Sequence, residues 1–226
     1  MEITHPTLTK WTVCTVPDGT RDAFDEAQLH DAALADPASP TEGFVGQVGG
    51  WDRSSDKTAC VLSLWRDARD HDRYLRDRHD RIMHESKRTE SYADATLTLA
   101  PVAALFAGRC KTINEALPRA RFLRLGDAVT HEGAAEQFLE RWQSVWAPGL
   151  HDADGMLAGI LVVAGSARRR YMVATLWSEV ELHDEFARLT VPVLREQADV
   201  EPFIESITGY HVPLEREWTV VPSVTT

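Results

Sequence analysis

At 226 residues the chain is long enough for one large domain or for two of about 100–120 residues each. Hydrophobic residues at 43% and charged residues at 26% give an ordinary globular balance, and a net charge of −11 argues against nucleic acid as a partner. Cys14, Cys60 and Cys110 cannot all pair with one another and have no zinc-type spacing, so they read as reduced, buried thiols. The start of the chain lacks a signal-peptide pattern, and no run approaches the ~20 apolar residues of a membrane helix; the expectation is a cytoplasmic protein without a membrane partner.

In chain order, residues 10–16 alternate as a strand and end at the turn signal Pro17-Asp18-Gly19. A helix follows over residues 21–34. Phe44–Trp51 and Thr58–Trp65 are strands joined by a polar loop. Residues 67–86 form a second helix, with His71, Leu75, Ile82 and, at the margin, His79 toward one face. A last strand lies within residues 95–106, and residues 108–118 read as a junction. The series then recurs. Residues 119–125 read as a strand, and Phe138, Leu139, Trp142, Val145 and Trp146 make a helical stripe. Met156–Ala164 and Arg170–Trp177 pair as strands around Gly165-Ser166. Residues 181–197 form a helix that Pro192 should kink, 204–212 are the closing strand, and the rest is tail.

A gapless shift of 112 residues sets Leu64-Trp65 on Leu176-Trp177, His71-Asp72 on His183-Asp184, and Gly43 on Gly155. The predicted fold is therefore α+β: tandem ferredoxin-like βαββαβ repeats, each a four-stranded sheet with both helices on one face. The bare sheet faces are too apolar to leave wet, so the two copies are expected to form an intramolecular dimeric α/β barrel, with residues 1–107 as the first domain, 108–118 as linker and 119–226 as the second.

The first copy carries Phe44-Val45-Gly46-Gln47-Val48-Gly49-Gly50-Trp51-Asp52, then Ser63-Leu64-Trp65, then His79-Asp80-x-Ile82; Lys10-Trp11, Cys14 and Phe24-x-x-Ala27-Gln28 accompany them. Over roughly residues 8–100 this resembles the bacterial YdbC-like proteins. The resemblance implies the dimeric α/β-barrel superfamily, which includes the antibiotic-biosynthesis and haem-degrading monooxygenases. It implies fold more than activity, because function on this fold lies in the site.

Among candidate residues, His79 projects toward the space between helix and sheet, where an imidazole suits a general base, and Asp80 could orient it. Gln47 and Trp51 share one face of their strand, as do Val45 and Gly49, and the glycines at 46, 49 and 50 suit a pocket wall, a bulge or close packing. Counted from Trp65, Tyr74 and His84 fall where the haem-degrading branch carries its pocket Trp and iron-ligating His. Yet His84 lies about 180° around the helix from Leu75, and the first-strand Asn of that branch is absent near Thr12 and Cys14. Metal ligation by His71, His79, His84 and Glu85 would need residues that this spacing scatters around the helix. Trp65, Trp177, His71 and His183, being repeated, read as architectural. The leading expectation is an enzyme of the antibiotic-biosynthesis-monooxygenase type, acting without a cofactor on an apolar, aromatic small molecule. His79 and Asp80 would be catalytic, and Trp11, Gln47, Trp51 and Tyr74 substrate-binding. The alternatives are a haem-binding oxygenase using His84, and a non-catalytic ligand-binding or stress protein. Either a monomer or a homodimer of the fused barrel fits.

Overall fold

The computed structural model describes residues 5–165 and 168–222, which divide into two compact units, residues up to 99 together with those from 212 on, and residues 100–211.

In the first unit β1 (Leu8–Thr15) leads to α1 (Arg21–Leu29), which continues as a 3-10 stretch, His30–Ala35. Next come β2 (Phe44–Trp51) and β3 (Thr58–Trp65). The second helix runs as α2 (Ala68–Tyr74), a π-helical segment (Leu75–His79) and α3 (Asp80–Ser86), and β4 (Asp94–Ala107) follows. Asp67 caps α2 by accepting from the Asp70 backbone N–H, and Lys87, left-handed at φ 48°, ends α3. The strand order is β2-β3-β1-β4. Antiparallel register aligns Leu8 with Trp65 and Phe44, Lys10 with Ser63 and Gln47, and Cys14 with Ala59 and Trp51. Cross-strand partners share a face, so these three rows all look toward the helices. The first packs with Leu34, Tyr74 and Ile82, and the third with Phe24 and Trp218. The middle row, Lys10/Ser63/Gln47, is polar.

The second unit begins within β4, whose residues 102–107 pair with β6 (Met156–Ala164). After α4 (Ile113–Ala116) come β5 (Phe122–Thr130), α5 (Ala135–Arg141), a π-helical segment (Trp142–Trp146), α6 (Ala147–His151), β6 and β7 (Arg170–Trp177). Next are α7 (Val180–Leu189), α8 (Val191–Ala198) and β8 (Ile204–Pro213); the strand order is β6-β7-β5-β8. The helix expected over 181–197 breaks at Thr190, as the missing N–H of Pro192 dictates. Ser166, expected in the β6–β7 turn, lies outside the described residues.

The repeat is internal to the backbone. Phe44 and Met156 face Trp65 and Trp177 in the same register, and both pairings bulge at the next position. Gly43 and Gly155 sit at φ 74° and 79°, where a side chain is strained, and each offers its carbonyl to the residue after the Trp: Arg66 N–H at 2.7 Å and Ser178 N–H at 2.9 Å. Each Trp is fully buried, with a His edge against it at 5.2 Å (His71) and 5.1 Å (His183). Truncating such a Trp to Ala costs about 3–5 kcal/mol, which explains why these pairs persist in both copies.

Several expectations change. Leu75, expected on the buried face, is 38% exposed, because the π segment underwinds the helix and turns the buried stripe from Tyr74 to Ile82 past it. The α-helix expected over 21–34 ends at Leu29, and the fifth strand starts at Phe122, because Pro118 favours a 3-10 turn at Leu117–Arg119. The junction 108–118 packs into the second unit, Gly108 N–H donating to Leu157 O at 3.1 Å. The tail returns to the first unit and covers the edge of β2: Gln47 and Val220 exchange backbone hydrogen bonds of 2.8 and 2.9 Å, and Trp218 packs on Phe24 and Trp51. A Cβ at Gly50 would strike Pro213 O and one at Gly49 would crowd Trp218. The glycine string therefore admits the tail rather than opening a pocket.

Candidate functional site

Between the two apolar clusters on the helix side of the first sheet lies a polar layer. Asp31, buried at 3% exposure on the 3-10 stretch, anchors it. Its Oδ2 accepts from Gln47 Nε2 at 2.8 Å, and its Oδ1 accepts from Arg88 Nη2 at 2.8 Å. Arg88 also donates to Ala27 O at 2.9 Å, so its charge is spent on Asp31 and on the end of α1. Gln47 lies in register with Ser63 and Lys10. The Ser63 hydroxyl accepts from Trp65 Nε1 at 3.4 Å.

Within this frame Arg88 Nε is buried without a partner, and three further side chains are unspent. Lys10 is largely withdrawn from water; burial holds its pKa below the usual lysine range, with Asp31 opposing and Arg88 reinforcing that shift. Its ammonium makes no hydrogen bond or ion pair with any of the described residues. Tyr74 is buried, and its hydroxyl likewise has no partner among them; burial and then Asp31 push its pKa up. His71 is 3% exposed with both ring nitrogens buried and unbonded, and burial, then Lys10, hold its pKa down, so the ring is neutral. Its contacts are aromatic: Trp65 at 5.2 Å and Tyr74 at 6.3 Å.

At the rim, the π segment presents His79. Its ring meets Tyr74 edge-on at 5.8 Å, and its side chain is 29% exposed. Nδ1 lies 3.1 Å from Asp80 Oδ1, and Asp80 itself is exposed. In the tautomer in which Nδ1–H donates to that carboxylate, Nε2 is left as a base. Arg78 pins the segment by donating to Ser39 O at 2.6 Å, Thr41 Oγ1 at 2.8 Å and Ala33 O at 3.1 Å. The π turn is what brings both Arg78 and His79 part-way in.

Of the residues expected at the site, Gln47, Tyr74 and His79 are thus brought together. Trp11 pairs with Leu62 and Val48, a row on the opposite face of the sheet. Trp51 shares the face of Gln47 but lies four residues along β2, in a core with Phe24 and Trp218; Asp25 accepts from its indole at 3.0 Å and Arg21 covers it at 4.0 Å. His84 is exposed on α3 and points away from the layer, so this donor set does not fit a haem held between helix and sheet. Lys10, Asp31 and Arg88 were not singled out from sequence. Only Lys10 left a signal: a lysine in mid-strand on the side shared by Leu8 and Cys14.

The second unit lacks this layer. Gly159, the shifted counterpart of Gln47, has the Phe106 ring where its side chain would stand, and Trp142 packs on Phe106 at 5.3 Å. A surface depression of 480 Å³ in that unit, lined by Gly149, Asp152, Asp154, Leu182, Glu185 and neighbours, is acidic and apolar, with no His, Lys or Tyr in its wall. Among the described residues no three His, Cys, Asp or Glu side chains converge as a metal site would require, and no helix is long and apolar enough to cross a membrane.

Residues 8–99 match the family described as Domain of unknown function (DUF4937). The uncharacterized protein YdbC of Bacillus subtilis (strain 168) is 33% identical over 81 residues, 35% of this chain; the chain spans 65% of the length of that curated relative. Among solved structures, a candidate monooxygenase from Lactobacillus acidophilus NCFM aligns at TM-score 0.71 with 11% identity, over 96% of this chain and 97% of its own. One from Fusobacterium nucleatum aligns at 0.73 with 9% identity, over 94% of each chain. An anthrone oxidase-like protein aligns at 0.67 with 13% identity, over 95% of this chain and 94% of its own. The chain shares the fold of these solved structures, and its residues 8–99 are similar in sequence to DUF4937 and to YdbC.

Proposed function

With a YdbC-like first unit in a monooxygenase-like fold, we propose that the chain is a small-molecule enzyme working in the helix–sheet layer of that unit on an apolar, aromatic substrate. The observation that carries this is the grouping of unspent polar side chains, Lys10, His71 and Tyr74, beneath the His79 imidazole, in one copy of the repeat alone. Trp65, Tyr74 and Leu8 supply an apolar wall. His79 Nε2 takes a proton from the substrate, Asp80 holds the tautomer, and buried donors receive the charge that develops. With dioxygen as oxidant, the carbanion forms a carbon–oxygen bond, and the resulting hydroperoxide loses water to leave a carbonyl. Without oxygen, the same proton removal supports cyclisation or isomerisation.

Oxygen uptake with anthrone and related hydroxyaromatics tests the reading. His79→Ala should lower turnover by about 10²–10⁴-fold with an unchanged circular dichroism spectrum. Full activity in that variant would remove His79 from the mechanism. The exposure of Asp80 favours a second reading, a non-catalytic binder using the same layer. That reading predicts saturable binding without turnover.

A further inference from the structure

We propose that the helix–sheet layer of the first unit is a binding site for a small organic monoanion, a carboxylate or phenolate, with Lys10 supplying the charge and His71 and Tyr74 the hydrogen bonds. This rests on the reading of that layer as the ligand site, though not on its being catalytic.

The argument is one of charge and hydrogen-bond completion. Asp31 and Arg88 form a buried pair at 2.8 Å, and the second Asp31 oxygen is taken by Gln47. Both terminal nitrogens of Arg78 are committed, to two backbone carbonyls and Thr41, while its buried Nε is unbonded. Lys10 is then an excess positive charge in a desolvated layer, attracted by the already paired Asp31 and, less strongly, repelled by Arg88. Such a charge is costly unless something pairs with it. His71 provides the independent observation. It is almost wholly buried, yet neither nitrogen is bonded, whereas its repeat counterpart His183 places Nδ1 3.3 Å from Asp184. The Tyr74 hydroxyl likewise has no partner among the described residues. The Tyr74 and His71 rings both pack on the Trp65 indole, and Lys10 is near enough for its charge to act on His71; two donors and an ammonium beside an aromatic wall suit an oxyanion borne on an aromatic or apolar body. A neutral ligand would satisfy the hydrogen bonds and leave the Lys10 charge uncompensated.

The test compares 1-naphthoate with its neutral amide, 1-naphthamide, by isothermal titration at neutral pH. Benzoate is a further anion, set against its neutral isostere benzamide. The wild type should prefer an anion over its isostere by about 10–100-fold, the worth of a charged hydrogen bond in a buried site. Lys10→Met should abolish that preference while leaving amide binding within about twofold, and Lys10→Arg should restore it. Thermal unfolding by circular dichroism verifies that both variants are folded. Equal affinity for anion and amide, no anion bound at all, or a preference that survives in Lys10→Met would each overturn the proposal. Binding with this preference but no turnover would sink the enzymatic reading and leave this one standing.

Discussion

Lys10→Met is expected to stabilise the protein. Methionine matches the aliphatic stem of lysine and fits between the Leu8 and Cys14 rows, so packing is retained. What is removed is an ammonium that burial disfavours, that Arg88 repels and that only Asp31, already paired, attracts. Replacing a poorly compensated buried charge by an apolar group of similar shape gains about 0.5–2 kcal/mol, read as a higher urea midpoint at neutral pH. The pH dependence gives the sign. Because the folded-state pKa of Lys10 is lowered, the unfolded chain binds its proton more tightly, and wild-type stability rises with pH between the folded value and 10.5. The advantage of the variant should therefore shrink as the pH approaches 10.5. A variant that loses more than about 1 kcal/mol at neutral pH would show that Lys10 is a paired structural cation, and the account of the layer would fail.

Two other predictions concern the repeat. Gly43→Ala should cost about 2–4 kcal/mol, combining left-handed strain with a clash against Asp70, which Arg66 holds at 2.6 Å; Gly19→Ala, at φ 80° with open space around it, should cost about 1–2 kcal/mol. Equal costs in chemical denaturation would mean that the loop is not locked to α2. In the second unit, burial pushes His183 down to about 4 from an ordinary 6.5. Its neutral form belongs to the fold, so stability holds above pH 6.5 and is lost progressively as the pH falls toward 4, by about 2–3 kcal/mol at pH 4.5. His183→Phe should flatten that loss, and an unchanged slope would assign the acid sensitivity elsewhere.

The repeat was legible because its markers are set by the backbone and the core. Gly43 and Gly155 are fixed by positive φ, and Trp65 and Trp177 by strand ends that need a large apolar plug. Phase along the second helix was not legible, since 100° per residue assumes an α-helix and the π segment at Leu75–His79 breaks that rule. Asp31 and Arg88 were not singled out from the sequence. Their burial depends on meeting each other across 57 residues, which no local pattern reports. Trp11 and Trp51 were grouped with Gln47 as aromatic walls, but side-chain alternation puts Trp11 on the other face, and the returning tail draws Trp51 into a separate core.

The central claim is that the chain has one ligand layer, in the first unit, bounded by His71 and His79. The most direct measurement is the set of histidine ring nitrogen resonances followed by NMR while 1-naphthoate is titrated in. His71 and His79 should shift together with saturation, the His71 signal moving toward a hydrogen-bonded ring, while His183 and His211 stay fixed. Shifts confined to His183 and His211, or saturable binding that leaves His71 and His79 unmoved, would contradict the account.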